Sequence, residues 1–297
     1  MSIINTESEE IGSPNITERA YWFTKQVLSN RNAKIGIGLL VPIFIVVILA
    51  PIIATQDPTA QNYGQTYAQP ALDHLFGTDQ YGRDLFSRTL YGGRASLLIG
   101  LSSVALASAI GIPVGIASGY FSGKTDEFLM RAMDLLMTFP PIILALLLLI
   151  ILAPSMSSAV IAIGIVFAPR IARVARSSTL AIRDSEYIQA CEQRDENSLY
   201  IMFYEILPNI KGPIIIEATI RIGFAIMIGA ALSFLGLGVQ PPTPDWGNMI
   251  SDARNEIQNT VWMLVWPSLA LSTTILGFNL LGDGLGDVLN DQSTEEK

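Results

Sequence analysis

The chain has 297 residues, 50% of them hydrophobic and only 15% charged, with a mean hydropathy of +0.43. Soluble domains carry about 25% charged residues, so this composition excludes an ordinary globular fold and points to an integral membrane protein. A net charge of −8 excludes nucleic acid as a partner, and a single cysteine (Cys191) with a single histidine (His74) excludes a disulfide framework or a Cys/His metal cluster; no cofactor is expected.

Residues 1–34 read as a cytosolic tail, too charged for a cleaved signal peptide. Residues 35–54 are uncharged for about 20 positions, the length that crosses a hydrocarbon core of about 30 Å, and form the first predicted span. Residues 55–94, rich in Gln, Tyr, Pro, Gly and Asp, read as an ordered extracytoplasmic loop. Within it, Phe76-Gly77-Thr78-Asp79-Gln80-Tyr81-Gly82-Arg83-Asp84 offers glycines for tight turns and sets Asp and Arg where they can pair.

Residues 95–290 hold the five further predicted spans. The second, Leu97 to about Ser118, carries small residues throughout (Gly100, Ser108, Gly111, Gly115), which suits close packing between membrane helices. The Gly123-Lys124-Thr125 that follows is not a phosphate loop, because the spacing from Gly119 is one residue short and Ser118 stands where the first glycine should be. Thr125 is instead expected to N-cap the next helix, with Asp126 and Glu127 in its first turn. That helix continues to Ala153 as the third span, kinked or restarted at Phe139-Pro140-Pro141. A fourth span, Ser155 to Pro169, leads into Arg170, Arg173 and Arg176 on one helical face, placed to meet headgroups or neighbouring acids.

From Arg170 to Pro213 a long polar segment is set between apolar ones. Leu180, Tyr187, Ile188 and Cys191 fall at roughly helical spacing, and Asp195-Glu196-Asn197-Ser198 then breaks the pattern. A second short helix is expected, N-capped by Asn197 or Ser198 and ended by Pro208. The outcome is a compact helix-turn-helix, the shape a docking element needs. The fifth span, Pro213 to Gly238, contains Glu217 and Arg221 on one face, as an intramembrane pair or as part of a transport path. The string from Leu232 to Gly247 reads as a rigid loop leaving the membrane, with Trp246 as a candidate interface anchor. A sixth span, Val261 to Leu281, and a tail at 291–297 close the chain, and the Lys/Arg bias places both termini in the cytosol.

The polar elbow resembles the signature loop of permease subunits in ATP-binding-cassette importers, in which Glu-Ala-Ala is followed by a glycine and then by a hydrophobic stretch ending Leu-Pro. The matching residues are Gln189-Ala190-Cys191, Asp195 and Ile206-Leu207-Pro208-Asn209, with Asp195 replacing the glycine as a residue type that accepts positive φ. The Leu232 to Gly247 string resembles one of the two paired permease subunits of dipeptide, oligopeptide and nickel importers, with Gly229 where that family often has a glutamate. The resemblance implies an all-α polytopic membrane protein of about six transmembrane helices, with the type I ABC importer permease fold. It also implies partners: a homologous permease subunit as a heterodimer, two ATPase subunits, an extracytoplasmic solute-binding protein and the lipid bilayer. Under it the chain is not itself an enzyme, and its cytosolic coupling loop lies at about 176–211. The implied docking residues are Glu186, Gln189, Ala190, Cys191, Asp195, Ile206, Leu207 and Pro208. The alternative is an ion-gradient-driven secondary transporter; against it, Glu217 is the only intramembrane carboxylate recognised and no internal repeat is evident.

Overall fold

The computed structural model describes residues 24–295; residues 1–23 and 296–297, which hold most of the expected N-terminal tail and the end of the C-terminal one, lie outside it. Among the described residues the protein is helical, with one isolated bridge between Thr78 and Asp84. In chain order the helices are α1 (Arg31–Ile48, extended by Ala50–Ile53), α2 (Leu85–Phe121), α3 (Gly123–Met137), α4 (Pro141–Leu152) and α5 (Met156–Ile182). Then come α6 (Glu186–Gln193), α7 (Ser198–Phe234), α8 (Trp246–Glu256) and α9 (Trp262–Glu295). Of these, α1, α2, α5, α7 and α9 are long and apolar enough to cross a membrane, and α3 with α4 makes a sixth if the bent pair crosses as one.

Sequence explains how these helices meet. Gly111, Gly115 and Gly119 recur every four residues on α2, so they form one stripe. A Cβ at Gly111 would lie 2.5 Å from the Ala168 carbonyl, and one at Gly115 would lie 2.3 Å from the Ala172 carbonyl. The bare stripe therefore lets α2 touch the backbone of α5, and these two helices form the principal contact of the bundle. On the other side α1 lies against α9 through Gly36 and Gly284. α7 fills the space between α9, α2 and α5.

Several expected boundaries move. The loop read as running to Arg94 becomes helical at Leu85, because Asp84 caps α2 by accepting from the Ser87 amide at 2.8 Å. The third helix starts at Gly123 and not after Thr125, with Ser122 at its cap; Asp126 sits in its first turn as expected and accepts from Ser118. At the prolines the chain turns by 90°, leaving α4 only 12 residues long. At about 1.5 Å per residue that is about 18 Å, well short of a hydrocarbon core of about 30 Å. Pro169 does not end the fourth span, since α5 runs through it to Ile182 with the proline buried against neighbouring helices. α9 likewise outruns the expected sixth span.

Pro208 does not end its helix either. Residues Ile201–Ile206 adopt a π-helix directly before it, and α7 then continues through Pro208 and Pro213 to Phe234. A proline ring clashes with the carbonyl four residues back and removes one hydrogen bond. The wider π turn opens the helix at that point, so the chain passes the proline without breaking.

Trp246 is a further correction. It is 1% exposed and opens α8, a helix within the segment read as loop. Its indole packs on Gly93 of α2, where a Cβ would lie 2.8 Å from the ring, so it anchors protein to protein rather than protein to the membrane surface.

Candidate functional site

The elbow between α5 and α7 is built from a small buried core and an exposed rim. Ile188 and Cys191 of α6 pack with Ile201, Met202 and Ile206 of α7, and beneath them lie Ile116 of α2 and Ala175 of α5. The turn is closed by backbone bonds from Asp195 to the Glu192 carbonyl (3.0 Å) and from Glu196 to the Cys191 carbonyl (3.2 Å). Such closure needs a left-handed residue, and Asp195 supplies it with φ of +53°. Asn197 then caps α7 by accepting from the Leu199 amide at 2.9 Å.

The eight residues singled out for docking divide in two. Glu186, Gln189, Ala190, Asp195 and Pro208 are exposed, whereas Cys191 and Ile206 are buried in the elbow's core and Leu207 is half-buried. Cys191 and Ile206 therefore hold the elbow's shape and present no surface. Sequence reading missed an apolar rim: Leu199, Tyr200, Phe203 and Tyr204 are exposed around a shallow hollow, with the two tyrosine rings stacked 5.1 Å apart. Their i, i+4 spacing was the available signal.

Two of the three α5 arginines, Arg173 and Arg176, meet acids on α3, one of the two expected outcomes. Arg176 grips Asp126 with Nε at 2.5 Å and Nη2 at 2.6 Å, and Arg173 Nη2 donates to Asp134 at 2.6 Å. On α7, Arg221 Nε donates to Glu217 at 2.5 Å, both side chains are half-buried, and the guanidinium lies 5.3 Å from the Phe224 ring centroid. Gly229 lies further along the same helix, where a Cβ would come within 2.8 Å of Ile99 Cγ2. A glutamate there would not fit this packing.

At the far end of α2, residues 55–84 fold back over the helix. Asp79 accepts from Arg83 at 2.5 Å and lies 3.6 Å from Arg88, so the expected Asp/Arg pairing is present and buried. His74 bridges Asp84 and Gln65, each at 3.0 Å. Tyr67 donates to Glu256 of α8 at 2.8 Å, and this bond to a carboxylate raises the phenol above its ordinary range. Asp245, cap of α8, accepts from Ser96 at 2.7 Å and from the Gly247 amide at 3.0 Å. Burial pushes its carboxyl above the usual range against those bonds.

Residues 111–293 match the family described as "Binding-protein-dependent transport system inner membrane component", and residues 21–70 match the "N-terminal TM domain of oligopeptide transport permease C". The chain belongs to the binding-protein-dependent transport permeases. Among its relatives, the dipeptide transport system permease protein DppC of Alkalihalophilus pseudofirmus is 39% identical over 266 residues, 90% of this chain and 88% of that one. The probable D,D-dipeptide transport system permease protein DdpC of Escherichia coli is 38% identical over 255 residues, 86% of each chain. The glutathione transport system permease protein GsiD of Pectobacterium atrosepticum is 40% identical over 229 residues, covering 77% of this chain and 76% of that one. An inward-facing structure of the MetNI methionine ABC transporter superposes with a TM-score of 0.55 over 68% of this permease and 96% of its own chain, at 19% identity, a likeness of fold. The permease is thus a multi-pass inner-membrane subunit of an ATP-driven, binding-protein-dependent importer; ATP hydrolysis belongs to a separate subunit.

Proposed function

We propose that this permease imports short peptides or peptide-like solutes as one half of a heterodimer, with the α6–α7 elbow gripped by an ATPase subunit on the cytosolic side. The observation that carries the docking role is the elbow itself: a stiff turn over a buried core, holding Glu186, Gln189 and Ala190 outward beside an aromatic rim. A lever must not bend when pushed, and the Asp195 turn with its packed interior supplies that stiffness. The arginines along the second half of α5 (Arg170, Arg173, Arg176) and those flanking α6 (Arg183, Arg194) favour the same side of the membrane. The solute class rests on relatives whose names specify dipeptide transport.

A homologous subunit finds a suitable surface on α7. The small floor of Ala230, Ala231 and Gly247, flanked by Met227, Phe234 and Leu271, forms an apolar groove into which a neighbouring membrane helix can pack. The docking reading is tested by co-purification. Wild-type permease should retain its ATPase subunits through gel filtration, while Ala190→Trp and Asp195→Trp should insert normally but lose them. Retention by both variants would reject the elbow as the grip.

A further inference from the structure

Helix α3 is held to the bundle in an unusual way. None of its residues is fully buried, and its apolar face is only half-buried, with Leu136 packed against the bundle core. Its directional bonds are a row of polar clasps to α5: Ser122 receives the Arg183 guanidinium, Asp126 the two-pronged Arg176, and Asp134 the Arg173 Nη2. The order along α3 (122, 126, 134) is the reverse of that along α5 (183, 176, 173), so the two helices lie antiparallel and are joined at intervals along the shared length. Arg183 is also the C-terminal cap of α5, and α6 begins three residues later at Glu186. At its other end α3 meets the 90° bend into α4.

We propose that Asp126, Asp134, Arg173 and Arg176 are positioning residues that make α3 travel with the elbow, so that a stroke delivered at α6 reaches the bend at Thr138–Pro140 and swings α4. The proposal rests on the docking role put forward above. α5 is continuous up to the elbow, so displacement of α6 moves the end of α5 that bears the clasps. Without them α3 would be held only by half-buried apolar side chains such as Leu136, which grip less firmly than a fully buried one and let it slip. The bidentate Arg176–Asp126 pair is the strongest of the set, being part-buried and also bonded to Ser118.

The test uses the complete transporter with its ATPase subunits, partner permease and binding protein in proteoliposomes, comparing wild type with Asp126→Arg, Arg176→Asp and the double swap. One readout is dialanine taken up per ATP hydrolysed. Each single reversal should lower it about tenfold with ATP hydrolysis continuing, and the swap should restore it to within about twofold, a size typical of coupling between sites. The second readout needs no transported solute: spin labels at Glu127 and Gln193, in a Cys191→Ala background, report the α3–α6 distance with and without vanadate-trapped ATP. In wild type the distance should stay fixed between the two states, and Arg176→Asp should spread it. A wild-type distance that changes on trapping, or single reversals that keep both the uptake ratio and a narrow distance, would overturn the proposal. Failure of the wild-type permease to hold its ATPase subunits would instead reject the docking role, and this inference with it.

Discussion

Trp246 donates its indole N–H to the carbonyl of Thr89 across 2.9 Å, although the two residues are 157 positions apart. This contact fixes the start of α8 onto the first turns of α2. Removing the ring in Trp246→Ala should destabilise the permease by about 3–5 kcal/mol, the cost of a large core cavity. Trp246→Phe retains much of the buried area and should lose about 1 kcal/mol for the hydrogen bond. Thermal unfolding in detergent, followed by intrinsic fluorescence, distinguishes the three proteins; an alanine variant melting with wild type would show the anchor to be idle.

The glycine stripe makes a sharper steric prediction. A methyl group at Gly115 would sit 2.3 Å from the Ala172 carbonyl, which is backbone and cannot swing aside. Gly115→Ala should therefore push α2 from α5 and cost about 1–3 kcal/mol, typical of overpacking. Gly38→Ala is the control, because nothing lies within 4 Å of its Cβ position. Equal yields of folded protein for the two variants would contradict the close contact.

Asp245 gives a pH dependence of definite sign. Burial holds its carboxyl above the usual aspartate range, so the folded state binds the proton more tightly than the unfolded one. Its contribution to stability is then fullest below the unfolded value and is lost as pH rises through the raised folded one. Asn caps helices as well as Asp and carries no charge to bury. Asp245→Asn should accordingly gain on wild type as pH rises out of the acid range, with the advantage shrinking as pH falls toward the unfolded value. Melting curves between pH 4 and 7 would show two parallel profiles if Asp245 did not titrate in this way.

How far the sequence could be read follows from which interactions are local. The membrane crossings were legible because an uninterrupted apolar run has few alternatives in lipid, and the turn at Asp195 was legible because few residue types accept its backbone angle. Pro208 misled, since its local rule ends a helix, whereas the π turn at Ile201–Ile206 lets the chain continue. Trp246 misled for the opposite reason. Its partners Thr89, Gly93 and Ser96 are remote in sequence, and a tryptophan beside prolines near a span resembles an interface anchor until those partners are known. The aromatic rim of the elbow was missed because Leu199, Tyr200, Phe203 and Tyr204 share one helix with the equally apolar Ile201, Met202 and Ile206, and only packing against α6 shows which of the two faces is covered.

Asp195 itself is open to test. A non-glycine residue at φ of +53° carries strain, modest for Asp and larger for a β-branched side chain. Asp195→Gly should stabilise the elbow by up to about 1 kcal/mol, while Asp195→Val should destabilise it by about 1–3 kcal/mol. Limited trypsin digestion at neighbouring Arg194 reads this directly, as faster cleavage in the valine variant and slower cleavage in the glycine variant. The reverse order would mean that the left-handed turn does not limit the elbow's stability.

The Glu217–Arg221 pair is best judged by what remains when one partner is removed. An unpaired arginine within a span costs about 2.5–3.5 kcal/mol on the insertion scale, while each leucine returns about 0.5, so a single lost partner outweighs several apolar neighbours. Glu217→Ala should therefore lower the amount of correctly inserted permease several-fold, because Arg221 keeps its charge with the Phe167 and Phe224 rings beside it and its carboxylate partner gone. Adding Arg221→Met removes the stranded charge and should recover insertion, as replacement of buried ion pairs by apolar residues often does. Transport then separates the two roles. A double variant that inserts and still imports solute marks the pair as structural; one that inserts but no longer imports places Glu217 and Arg221 on the path itself.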